Sequence, residues 1–387
     1  MKILLLFILC WSGLTSGSTT LSKEEESKIQ AKAVMDGVYG SFLKVVPYLY
    51  SDENSMLELK TNKAKKDELL KNLTDLSDFF KSATHVEYFD RPGFRPSLET
   101  MNSHLTDTIN SVNNNNFVFA QKRLSALTAL CINCHTQLSA SGISNAFGEA
   151  LNKSKREKFD TDFAYGNYLY LIRQFDESEK YLLLALERAL VESRSHELYT
   201  SIRRIISIHT KIKFDYKKAH EFVTKFGNDP RMPGLAKENL QDWGRSLDKW
   251  KNFNPDSPIV VEDFIKKYLS PLEEIKEQKG LGDNDITLLI SAGILSKYLN
   301  DHPKTKSAPQ ILYWLSVAER RLSNTYFFTI SDLYLKDCIK LYPASPYAKK
   351  CYGLYEDNIN FGFTGSGGTD VPPEEKTELT RLRSLIK

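Results

Sequence analysis

From residue 22 onward the apolar residues of this chain recur at intervals of three and four, and no stretch alternates with a period of two. That spacing places apolar side chains on one face of a helix and leaves strands without a buried face. It predicts an all-α protein, built from helices that must bury their stripes against one another.

The start of the chain has a different character. Lys2 precedes an apolar run from Ile3 to Trp11, followed by the small residues Ser12, Gly13, Thr15, Ser16 and Gly17. This is the pattern of a secretory signal peptide over residues 1–17. Its run is too short to span a bilayer, and no later stretch approaches the roughly 20 apolar residues a membrane helix needs. Cys10 follows Leu9 rather than a small residue, so it reads as lost with the peptide and not as a lipid-modified cysteine. The expected product is exported, periplasmic and without a transmembrane segment.

Charge adds an exclusion. The 52 Lys and Arg residues against 49 Asp and Glu residues give a formal net charge of +3, with both signs mixed along the chain. No nucleic-acid or membrane-surface footprint follows from that balance.

A capping box at Ser22 and Glu25 starts the first expected helix, with Met35, Val38, Tyr39, Phe42, Val45 and Val46 as its stripe and Pro47 marking its end. The second carries Leu69, Leu70, Leu73, Leu76 and Phe80, and stops before Asp90, Arg91, Pro92 and Gly93. The third carries Leu98, Met101, Leu105, Ile109 and Val112. After a polar turn at Asn113 to Asn116, a fourth holds Ala120, Leu124, Leu127, Cys131 and Cys134. Four helices with one stripe each predict an up-and-down four-helix bundle over residues 20–141. Residues 142–160 lose the periodicity and read as a linker.

From Tyr165 to Glu187 the chain follows the tetratricopeptide pattern, with Gly166 at a tight helix crossing, Phe175 at the turn, and Ser178, Tyr181 and Ala185 on the second helix. A weaker copy around Ile205 to Phe226 has Ala219 at its small position. These predict a tetratricopeptide-like α-solenoid starting with repeats over 161–250. Further helical hairpins follow over 251–360, with a hinge near Asn252 to Asp263, and 361–387 reads as a flexible tail around Gly365, Gly367, Gly368 and Pro372 that ends in a short charged helix. Such arrays present surfaces to proteins and carry no chemistry of their own, so a redox or scaffold protein partner is expected there.

The motif that carries chemistry is Cys131-Ile132-Asn133-Cys134-His135. Thiols three residues apart on a helix face one side, where both can add to the vinyl groups of one haem, and the adjacent imidazole then reaches the iron. With five Cys and seven His in 387 residues, chance would give such a motif on the order of once in 1,000 chains. A zinc site would need a further Cys or His pair, and a thioredoxin-type redox pair would want a preceding strand; neither is found. One haem c is expected, with Cys131 and Cys134 as thioether links and His135 as the proximal iron ligand. Cys338 and Cys351 form a second pair, read equally as a disulfide or as two separate buried thiols.

On these residues the first third of the chain resembles the cytochrome c-prime family, whose final helix ends in CxxCH and whose first helix faces the distal side of the haem. The resemblance implies that Met35 stands where family members have either an apolar blocker or a methionine that binds iron. Ordinary core packing is the competing reading of Met35. His85 and His104 are weaker ligand candidates, Met101 reads as core, and Tyr39, Phe42, Phe79 and Phe80 read as haem wall or plain core. The family also implies a homodimer through the first two helices. The function expected is electron transfer or haem binding by a non-enzymatic cytochrome docked through its repeats, with a haem-based gas or redox sensor signalling through those repeats as the alternative. A peroxidase is disfavoured, because such c-type enzymes generally carry two CxxCH motifs and this chain has one.

Overall fold

The computed structural model describes residues 22–49, 58–90, 95–121, 123–124, 127, 155–273, 284–322 and 331–386. The expected signal peptide, residues 131–135 and most of the 142–160 linker lie outside the described residues. The chain is about 79 % helical with almost no strand, so the all-α expectation holds. Among the described residues no helix is long and apolar enough to cross a membrane.

Three helices open the fold: α1 (Lys23–Leu49), α2 (Lys63–Ala83) and α3 (Arg95–Asn113). The capping box forms as expected. The Ser22 amide and hydroxyl both donate to Glu25 Oε2, at 2.9 and 2.8 Å, and the Glu25 amide donates back to Ser22 Oγ at 3.3 Å. Helix α1 runs two residues past Pro47. Asn62 caps α2 by accepting from the Lys65 amide at 3.1 Å. Helix α1 packs on α2 and α2 on α3. Their shared core holds Phe42, Val45, Leu69, Leu73, Leu76, Phe80, Met101 and Leu105, all buried. At Gly37 the Phe79 ring occupies the space a side chain would need. The turn after α3 places Asn115 at φ 59°, a left-handed position that Asn tolerates, and the described residues from 117 to 127 are again helical. Phe117, Ala120, Leu124 and Leu127 on that segment are buried.

After Phe159 most helices pack on their sequence neighbours, while Gly234–Asp248 packs on Tyr216–Gly227 and Asp285–Asp301. The helices are α4 (Asp162–Leu171), α5 (Phe175–Glu192), α6 (Ser195–Ser207), α7 (Tyr216–Gly227) and α8 (Gly234–Asp248), then α9 (Val261–Tyr268), α10 (Asp285–Asp301), α11 (Ala308–Arg321), α12 (Ser331–Leu341) and α13 (Pro346–Gly362). The α4–α5 crossing is as tight as its glycine implies: a Cβ at Gly166 would stand 3.0 Å from Leu182 Cγ, and Ser178 Oγ donates to the Gly166 carbonyl at 2.8 Å. Helix α6 ends in one wide π turn, Ile208–Ile212, and Phe214 beyond it has φ 54°. Helix α10 presses on that turn through Gly293.

The stretch near Asn252 to Asp263, expected as a hinge, is mostly exposed and lies beside the buried Trp250, which stacks on Tyr268 at 4.4 Å and meets Phe253 edge-on at 5.3 Å. The 361–387 segment, expected as a flexible tail ending in a short charged helix, is packed onto the fold in the described structure. A two-stranded hairpin pairs Thr364 with Thr369 and Gly365 with Gly368, and α14 (Pro373–Leu385) then docks on α12 and α13 with Leu379 and Leu382 buried. Glycine content signalled a tight turn here, and apolar burial after it supplies the order.

The open choice at the second cysteine pair is decided. Cys338 on α12 and Cys351 on α13 are joined by a disulfide, with Cα atoms 6.4 Å apart and both side chains buried.

Candidate functional site

The helical segment described between residues 117 and 127 precedes Cys131-x-x-Cys134-His135 in the sequence. Leu124 and Leu127 bury its apolar face. A polar contact fixes it from the side. The His104 ring on α3 meets Arg123 twice, with Nε2 2.7 Å from the Arg123 carbonyl oxygen and Nδ1 3.0 Å from Nη1 of the same residue. A carbonyl only accepts and a guanidinium only donates, so the imidazole is the neutral tautomer carrying its proton on Nε2. The Arg123 guanidinium also binds the Asp107 carboxylate and lies 5.3 Å over the Phe119 ring.

Burial, the largest influence, pulls the His104 pKa below the ordinary imidazole value; the Arg123 carbonyl and Asp107 act in the opposite sense, and the Arg123 guanidinium adds to the lowering. With both ring nitrogens committed, His104 is not free to bind a metal, which removes it from the ligand candidates. His85 is exposed just past the end of α2. Met101 is buried in the core, as read from the sequence.

Met35 lies on α1, half-buried against the core, one turn before Tyr39. Phe42 and Phe80 are buried in the same core, and Phe79 covers Gly37. Cys131, Cys134 and His135 lie outside the described residues. Among the described residues no group of three or more His, Cys, Asp or Glu is arranged to hold a metal ion. The donor set at 131–135 has the right chemistry for a covalently attached haem: two thiols to form thioethers and one imidazole for the iron.

Sequence reasoning missed three features. The first is the His104–Arg123–Asp107 contact; His104 and Asp107 are three apart on one helix, but nothing in the sequence pairs them with Arg123. The second is a seam between the first helices and the array. The Tyr39 hydroxyl lies 3.2 Å from that of Tyr168, the Phe159 ring packs 4.9 Å from Tyr168, and α3 touches α12. At the α4–α5 turn, Arg173 has φ 64° and is nearly closed off from solvent. Burial pulls its pKa down to about 10, against the opposing influence of Tyr88 from the first unit, so it remains a cation at neutral pH. The third is a buried charge cluster at the π turn. Lys211 Nζ is 3.1 Å from Glu319 Oε1, and His209 Nε2 is 3.0 Å from Glu179 Oε1. π turns often sit at functional places in helices, and this one carries the buried His209 and Lys211 side chains.

Comparison with protein-family models, with curated proteins and with solved structures finds no match.

Proposed function

We propose that this chain is an exported monohaem c-type cytochrome of the periplasm, in which a four-helix bundle carries haem c on Cys131, Cys134 and His135 and a tetratricopeptide-like solenoid docks it onto a protein partner. The observation that carries this reading is the CxxCH spacing placed after a helical segment whose apolar face is buried. The Cys338–Cys351 disulfide supports it independently, because such bonds persist in oxidising compartments, where c-type haem is also attached.

When bound, the haem supplies a one-electron iron couple whose potential depends on the axial ligands and on burial. The residues of this chain divide the remaining work. Cys131 and Cys134 hold the group, His135 gives the proximal nitrogen, and the helix ahead of them is fixed through Leu124, Leu127 and Arg123. Met35 is the distal candidate: as a thioether ligand it suits electron transfer, and as a mere neighbour it leaves the sixth position for a small gas. The second reading, a gas or redox sensor signalling through the repeats, is favoured by the Tyr39–Tyr168 contact, which ties the helix of Met35 to the first repeat. A homodimer through the first two helices belongs to the same family reading.

Spectra of the purified protein test all of this. Covalently retained haem after pyridine treatment is expected, and its absence overturns the reading. A low-spin spectrum indifferent to carbon monoxide, converted by Met35→Ala into one that shifts with the gas, supports ligation and electron transfer. A high-spin spectrum that shifts in the native protein favours the sensor.

A further inference from the structure

Charge is evenly mixed over the chain as a whole, but not at one end of α11, α12 and α13. The segments 302–318 and 338–355 contain five lysines, no arginine, and no aspartate or glutamate. The fold gathers four of these lysines. Lys304 and Lys306 lie in the turn that enters α11, and Lys349 and Lys350 lie at the start of α13. The two helix starts are neighbours: Cys338 Sγ, near the far end of α12, is 3.6 Å from the carbonyl oxygens of both Pro309 and Tyr347, and the Tyr313 and Tyr347 rings are 5.8 Å apart. The Lys350 ammonium sits 5.5 Å from the centroid of each ring, which holds its charge over the junction. The fifth lysine, Lys340, acts electrostatically on Glu378 of α14.

Lys304, Lys306 and Lys349 are exposed and make no ion pair among the described residues. Two carboxylates border this end, and both have partners within the chain: Glu262 of α9 accepts from Ser307 Oγ at 2.6 Å, and Asp301 binds Lys297 at 3.5 Å. Backbone dipoles add to the positive sign, since α11 and α13 start here and only α12 ends here.

We infer that this end of the array is a docking surface for an acidic protein segment, whose carboxylates meet Lys304, Lys306, Lys349 and Lys350, with Leu341, 42 % exposed at the end of α12, as an apolar contact. The surface deepens the docking role proposed for the array and is independent of the haem. Charge complementarity selects the occupant. Lysine is a compact, strongly hydrated point charge, whereas the planar fork of arginine is the group that grips phosphates in two places at once, and neither segment has one. A single exposed leucine is too little apolar surface to enter a bilayer. Exposed lysines act by steering encounter more than by tight holding, so the association is fast and sensitive to salt.

The test follows binding of a fluorescein-labelled oligoglutamate peptide to the full chain by fluorescence anisotropy. Affinity should fall steeply as salt is raised, and the combination of Lys304→Gln, Lys306→Gln, Lys349→Gln and Lys350→Gln should weaken it by about tenfold at low salt. Lys28→Gln, Lys63→Gln, Lys71→Gln and Lys81→Gln, all at exposed positions of α1 and α2, change the net charge equally and should leave the affinity within about twofold. Equal losses in the two variants, or no binding by the native protein, overturn the inference. So does a DNA duplex or a phosphatidylglycerol vesicle that displaces the peptide more strongly than unlabelled oligoglutamate at equal charge, since the surface would then serve phosphates. Should the fourfold variant fail to fold, Lys304→Gln with Lys306→Gln decides, with a loss of about threefold expected and an unchanged affinity overturning it. A protein that binds the peptide but carries no covalent haem sinks the cytochrome reading and leaves this surface standing; haem retained without peptide binding does the reverse.

Discussion

Lys211 and Glu319 meet at 3.1 Å across 108 residues of sequence, and both side chains are closed off from water. The π turn of α6 swings Lys211 inward, and α11 brings Glu319 to it. A buried ion pair is weak evidence of net stability, because the desolvation of two charges offsets most of their attraction, but removing one partner strands the other.

Lys211→Met alone should therefore cost about 3 to 5 kcal/mol in urea unfolding, whereas Lys211→Met with Glu319→Leu should recover most of that loss. A double variant as unstable as the single one would show that the pair itself adds net stability.

Gly293 touches the same turn. A Cβ there would stand 2.5 Å from the Lys211 carbonyl oxygen and 2.9 Å from the Phe214 ring. The nearer neighbour is backbone and cannot rotate away, so Gly293→Ala should destabilise by about 1 to 3 kcal/mol, read as a lowered unfolding midpoint. An unchanged midpoint would mean that the turn yields freely.

Reducing the Cys338–Cys351 bond, or replacing both cysteines with serine, releases a loop with a sequence separation of 13 between α12 and α13. Thermal unfolding should detect a loss of about 3 kcal/mol. Since α14 docks on the same two helices, protease cleavage near 364–369 should accelerate in the reduced protein; equal cleavage rates would sever that link.

Tyr39→Phe and Tyr168→Phe should each cost about 1 kcal/mol, and the pair should fall short of additivity, because each hydroxyl has the other at 3.2 Å. Strict additivity in a double-mutant cycle would remove this contact from the seam between the first helices and the array.

Acid should weaken the array through Glu179. Burial raises this carboxyl, but the hydrogen bond from His209, the charge of His209 and that of Lys213 outweigh it, and the net pKa lies below the ordinary glutamate value. A lowered carboxylate contributes stability that is complete above the usual range, near pH 4.3, and is lost as the pH falls through its folded value. Glu179→Gln should flatten the acid limb of a stability–pH curve, and an unaltered limb would assign the acid loss elsewhere.

Much of the architecture was legible because helices advertise themselves locally. The three-and-four spacing, the Ser22–Glu25 box, the Asn113–Asn116 turn and the Gly166 crossing depend on residues a few positions apart, and each stands where periodicity and capping chemistry put it. Less legible was packing that depends on distant partners: Trp250 stacks on Tyr268 beside the expected hinge, and Leu382 is buried in a tail whose glycines suggested freedom.

The candidate site divides in the same way. CxxCH is a local motif of five consecutive residues, so the sequence alone supplies the donor set on which the proposed haem attachment rests, together with the helical character of the described chain. Only the tertiary structure decided that Cys338 and Cys351 are bonded, that His104 is spent on Arg123, that Tyr39 reaches Tyr168, and that Lys211 finds Glu319. Those contacts join side chains 13 to 129 positions apart. Helical periodicity fixes which face a residue occupies, while the identity of the opposing residue depends on how whole helices cross, a sum over many packing contacts that no local spacing records.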